Sequence, residues 1–82
     1  MYQGIYLIKE REFKNNNTDI YKVGRSFSLN TRIKQYPKNS SLHLIVFCKN
    51  CEIIENEIIT LLTKKFKIRT DYGAEYFSVK KV

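Results

Sequence analysis

Tyr6 follows Gly4 by two residues, and Lys22 precedes Gly24 by two, each in a stretch rich in Tyr, Ile and Val. Alternate residues of a strand share a face, so Tyr6 points with Tyr2, Gly4 and Ile8, and Lys22 with Ile20 and Gly24. The glycines remove bulk beside a phenol and an ammonium. An anionic group such as a phosphodiester can then come close to the sheet; the other reading gives both glycines to twist or a bulge. Lys22 can hold a phosphate or, with a depressed pKa, accept a proton. Arg32 carries a planar fork that matches phosphate oxygens, or else is a solvated residue beside the stripe Leu29, Ile33 and Tyr36.

Carboxylates cluster further on, at Glu52, Glu55 and Glu57. At roughly 100° per residue of helix, Ile54, Ile58, Ile59, Leu61, Leu62 and Phe66 centre about 40° from Glu55, whereas Glu52 and Glu57 lie about 100° or more away. Glu55 is therefore expected on the packed face. A carboxylate there is costly unless a charge repays it, which a cation beside Tyr6 and Arg32, or a buried salt bridge to Lys22 or Arg32, would do. Lys64, Lys65, Lys67 and Arg69 follow as a basic cluster, suited to phosphate contact or to the negative end of the helix. Cys48 and Cys51 form a single C-x-x-C with no second pair, and His43 sits in an apolar run as a packed or edge side chain, so the thiols read as reduced bystanders.

These side chains need a scaffold. Tyr2 to Lys9 and Ile20 to Arg25 read as strands, separated by a charged, Asn-rich hairpin loop from Glu10 to Asp19. Ser28 to Tyr36 reads as a short helix, capped by Ser28 or Asn30 and stopped by Pro37. Leu42 to Cys48 is an unbroken β-prone run and predicts a well-buried third strand. The longest helix runs from near Asn50 to about Phe66, with Ile54, Ile58, Leu61 and Leu62 on one face. Asp71 to Gly73 predicts a turn and Glu75 to Val79 a last strand, with Phe77 in the core and Tyr76 on the opposite face. The order β-β-α-β-α-β is an α+β domain, a small and mostly antiparallel sheet with two main helices, and 82 residues leave room for one such domain, 1–82.

Fifteen Lys and Arg against eight Asp and Glu give a net charge of +7 on a chain that is 43% hydrophobic. That composition is a folded basic domain, suited to a polyanion whose counterions are released on binding. Met1 to Arg11 reads as neither signal peptide nor membrane span, and the expected location is intracellular, cytoplasmic or nuclear.

Gly4-Ile5-Tyr6 on the first strand, Tyr21-Lys22-Val23-Gly24 on the second, Arg32 on the helix after it, and the ending Gly73-Ala74-Glu75-Tyr76-Phe77 together resemble the GIY-YIG nuclease superfamily. The likeness is to its phage and large-virus branch, in which the second motif reads like YKVGRS. The resemblance implies DNA as partner and hydrolysis of phosphodiester bonds with Mg²⁺ or Mn²⁺. It assigns catalytic roles to Tyr6, Tyr21, Lys22, Arg32 and Tyr36, with the arginine on the phosphate and a helix glutamate on the cation. The helix-face reading selects Glu55 for the metal, although some relatives align Glu57. Glu75 would be a second carboxylate or the partner of a nearby lysine, and Arg25, Lys64, Lys65, Lys67 and Arg69 would contact nucleic acid. Lys22 stands where many relatives have tyrosine, and Tyr36 where some have histidine. A non-catalytic DNA-binding module of the same fold is therefore the alternative, and a protein-interaction domain a third reading. Phosphate contacts carry no sequence information, so targeting would fall to a partner protein.

Overall fold

The computed structural model describes residues 2–16, 18–73 and 75–79. Met1, the loop residue Asn17 and the motif residue Ala74 lie outside them. The elements are β1 (Gly4–Lys9), α1 (Arg11–Asn15), β2 (Ile20–Ser26), α2 (Leu29–Lys34), β3 (Ser41–Phe47), α3 (Cys51–Lys65), β4 (Lys67–Ile68) and β5 (Tyr76–Ser78). The strands form one sheet in the order β3-β1-β2-β5-β4, with every described pairing antiparallel. The α+β class and the antiparallel sheet are as the sequence predicts.

Strand alternation divides the core into two layers. Ile5 and Val23 point to one face, where they pack with Cys51 and Phe77 under Ile54, Ile58, Ile59 and Leu62 of α3. Tyr6 and Ile8 point to the other face and pack with Leu29, Ile33 and Tyr36 of the α2 region. The two principal helices thus lie on opposite sides of the sheet. Phe77 is buried and Tyr76 pairs across from Lys22 on the α2 side, the alternation expected for that strand.

Four expectations are corrected. The stretch predicted as a loop contains α1, five residues long, whose Phe13 is buried edge-on against Tyr72 and Tyr76. A helix this short is not stable alone, so packing of Phe13 holds it. The short β4 is likewise an addition, paired only with β5. The third strand is not well buried: β3 occupies a sheet edge, and Leu44 and Phe47 are 55% and 66% exposed. Both helices cover the centre of the sheet and leave its rim to solvent; a bulge opposite Leu7 and Ile8 interrupts the register there. On α3, Leu61 turns outward at the margin of the packed face, while Ile54, Ile58, Ile59 and Leu62 pack.

The glycines do not open the sheet surface to a ligand. A Cβ on Gly24 would collide with Cζ and the hydroxyl of Tyr6, and one on Gly4 would collide with the Val46 carbonyl oxygen and lie 2.9 Å from Leu29 Cδ1. The absent side chain at residue 24 is the seat of the Tyr6 ring, and at residue 4 it allows close approach of β3 and α2.

Candidate functional site

Because Tyr6 pairs with Gly24 and Ile8 with Lys22, the phenol and the ammonium share the α2 face of the sheet. Tyr6 is 2% exposed, and its hydroxyl is hydrogen-bonded to that of half-buried Tyr36 at 2.7 Å. Lys22 Nζ stands 5.3 Å from the centre of the Tyr36 ring and 5.6 Å from that of Tyr76. Tyr76 in turn donates its hydroxyl to Glu10 Oε1. Burial pushes Tyr6, Tyr36 and Tyr76 above the usual phenol range. The Tyr36 bond adds to the rise at Tyr6, and the charges of Lys22 and Arg32 oppose it. These phenols stay protonated near neutral pH, so they can orient a water or a phosphate oxygen but are poor bases.

Glu55 lies on the other face. It is 6% exposed, as the helix-face expectation requires, with Glu52 and Glu57 exposed. Its partner is neither Lys22 nor Arg32, and it is not beside Tyr6. Arg25, which points from β2 to the α3 side, brings Nε to 3.7 Å from Glu55 Oε1 and Nη1 to 3.8 Å from Glu52. Glu55 Oε2 is buried without a hydrogen-bond partner. Burial is the main reason its carboxyl sits above the ordinary range; Glu75 and Glu52 push the same way, and Arg25 opposes them.

The two faces communicate at one end of β2. Described pairing with β5 stops at Lys22 and Tyr76, leaving the outer edge of Gly24–Ser26 uncovered by a strand. Beside it opens a cleft of about 780 Å³ whose lining includes Arg25, Arg32, Lys49 and Glu52. Arg32 lines this cleft and also lowers the pKa of Tyr6 and Tyr36; Glu75 raises those of Tyr36 and Tyr76 on one face and of Glu55 on the other. Glu75 is therefore within electrostatic reach of both layers, whereas Arg32 acts on the tyrosines of the α2 layer and lines the cleft.

Other sequence candidates fall elsewhere. Tyr21 points to the α3 side, where its ring meets His43 of the edge strand at 5.2 Å and Lys9 Nζ at 5.5 Å, away from the Tyr6 cluster. Lys64 and Lys65 are exposed at the far end of α3, about 15 Å from Glu55 along the axis at 1.5 Å per residue. Lys67 is exposed on β4, and Arg69 is already engaged, bidentate to Asp71 at 2.8 and 3.0 Å and stacked on Tyr72. Cys48 and Cys51 are free thiols with sulfurs 2.9 Å apart, and burial and this contact push Cys48 up to about 11. Sequence reasoning misses Glu10 and Lys49. Glu10 lies in a segment that reads as a loop, and Lys49, inside the C-x-x-C, gives no signal of lining a cleft with Arg25 and Arg32.

No curated protein and no solved structure matches the chain. The T5orf172 domain matches residues 3–82, a span that takes in β1 with Tyr6, β2 with Lys22 and Arg25, α2 with Arg32 and α3 with Glu55. With nearly its whole length covered, the chain belongs to the T5orf172 domain family.

Proposed function

We propose that this domain binds DNA and hydrolyses its phosphodiester bonds in the manner of the GIY-YIG nucleases, with Mg²⁺ or Mn²⁺ held by Glu55. Membership in a phage-associated family supports a DNA-binding, nuclease-like module. The observation that carries the finer reading is the buried Glu55 carboxylate, whose Oε2 has no partner and whose Oε1 is paired with Arg25, a residue that lines the cleft together with Arg32. That oxygen fits a divalent cation. Among the described residues no three of His, Cys, Asp and Glu gather, so the donor set suits a cation completed by water and phosphate oxygens rather than a closed zinc cage. A cation bound there would offset charge developing on the phosphate. Arg32 grips the phosphate from the α2 side, Arg25 holds Glu55 in place, and Glu75 is the second carboxylate within reach. Tyr36, backed by Tyr6 and flanked by Lys22, lies on the α2 face with Arg32, away from Glu55, and in this reading helps hold the phosphate rather than the cation.

The second reading is a DNA-binding module that does not cleave, with a partner protein supplying any targeting. It is favoured by the tyrosine cluster itself, in which Lys22 and Tyr36 replace groups the nucleases use and the phenols are held protonated. Incubation with labelled single-stranded, duplex and branched DNA separates the readings. Cleavage that requires Mg²⁺ or Mn²⁺ supports the nuclease; binding without cleavage leaves the module; neither removes both.

The exposed Lys64, Lys65 and Lys67, at and just beyond the end of α3 away from the cleft, are expected to touch phosphates farther along a bound strand. Replacing all three by Gln should reduce the slope of log K against log salt by roughly 2 to 3, at about 0.9 for each phosphate no longer neutralised. Adding Arg69→Gln should change the slope little more, because Asp71 already neutralises that guanidinium. An unchanged slope in the triple variant would remove the cluster from the interface.

A further inference from the structure

Two large apolar side chains stand exposed in the cleft that Arg25 and Arg32 line. Phe27, on the turn between β2 and α2, is 78% exposed, and Ile53, on the first turn of α3, is 60% exposed. Single exposed apolar residues are ordinary, but two in one arginine-lined cleft form a patch. The turn that carries Phe27 is braced at both sides. The Ser28 N–H donates to Ser26 Oγ at 3.0 Å, and the Leu29 N–H donates to the Tyr2 carbonyl at 2.8 Å. The exposed ring is therefore presented by a fixed backbone. Charge selects what covers it: with Arg25 paired to Glu52 and Glu55, Arg32 and Lys49 leave the cleft cationic, as a phosphate-bearing ligand requires. A phosphate on Arg32 and Lys49 would hold the attached sugar and base near the Phe27 ring, and the cleft volume of about 780 Å³ is large enough for a nucleotide. Bases within a duplex have their faces covered by their neighbours, so only an unstacked base can use the ring.

We infer that the domain's substrate is DNA with an unpaired base beside the bound phosphate, and that Phe27 stacks on that base. The inference rests on the DNA-binding reading above. It makes Phe27 a specificity determinant that favours bulged, gapped or single-stranded sites over intact duplex.

The test uses a duplex with one unpaired 2-aminopurine and a fully paired control of the same flanking sequence. Both are titrated without divalent metal against the wild type, Phe27→Ala and Phe27→Trp. Because base–aromatic stacking is worth about a tenfold factor in affinity, the wild type should bind the bulged duplex roughly tenfold more tightly than the control and quench its fluorescence. Phe27→Ala should lose that preference while keeping the affinity for paired DNA, and Phe27→Trp should retain it. Equal preference in Phe27→Ala and the wild type, or none in the wild type, overturns the stacking role while leaving DNA binding intact. Failure to bind either DNA overturns the DNA reading and the inference with it.

Discussion

Glu55→Gln is expected to abolish metal-dependent cleavage, by roughly two orders of magnitude or more, while leaving DNA binding in place. The amide keeps the shape of the side chain and removes the charge that draws a cation. The same substitution should stabilise the metal-free protein. Glu55 has a folded pKa above its ordinary value, burial being the first cause, so its charged form is the less comfortable one in the fold. The sign follows from linkage: the folded state holds this proton more tightly than the unfolded chain, so stability from this group grows as pH falls into the carboxyl range and is lost as pH rises through the folded pKa. At neutral pH the wild type carries that cost and the amide does not. Magnesium or manganese at ten times its dissociation constant should recover about 1.4 kcal/mol, raising the wild-type melting temperature by several degrees. Thermal melts with and without metal, on wild type and Glu55→Gln, check both halves. A melting shift of equal size in the two proteins would place the cation elsewhere. Glu57→Gln, on the exposed face of α3, should leave cleavage and melting largely unchanged.

Arg32→Ala should lower cleavage by about two orders of magnitude with folding stability altered by no more than about 0.5 kcal/mol. Arg32 is exposed, and among the described residues it has no salt bridge, in contrast to Arg25 and Arg69. Its guanidinium is therefore available to a phosphate without giving up an existing partner. Leu29 and Ile33, on either side, do the packing that anchors α2. Arg32→Lys should restore little, because an ammonium cannot offer two parallel donors. Single-turnover cleavage alongside urea unfolding separates a catalytic loss from a structural one, and full activity in Arg32→Ala would take this residue out of the site.

Much of this architecture is legible from local pattern. The apolar spacing of α3 separates buried Glu55 from exposed Glu52 and Glu57, and strand alternation puts Tyr6 with Lys22 and Tyr76 opposite Phe77. What pattern cannot carry is the order of strands. An unbroken run such as Leu42 to Cys48 reads alike at the centre of a sheet and at its edge, because the difference is made by which strands flank it. Nor does spacing tell which face each helix covers, so the expected meeting of Glu55 with Tyr6 and Arg32 becomes an ion pair with Arg25 on the reverse side. Glu10 and α1 are hidden for a related reason: their order comes from Phe13 meeting Tyr72 and Tyr76, residues distant in the chain.

The Tyr6 ring occupies the space that any side chain at residue 24 would need. The two motifs look like separate signatures on separate strands, yet sterically they are a lock and its keyhole. A descendant lineage cannot enlarge residue 24 in one step and keep the tyrosine where it lies; drift at these positions is confined to paired changes. Loss of the tyrosine would at once release the glycine from its constraint, so a relative that has abandoned the phenol should also be free to carry alanine or serine in the second motif.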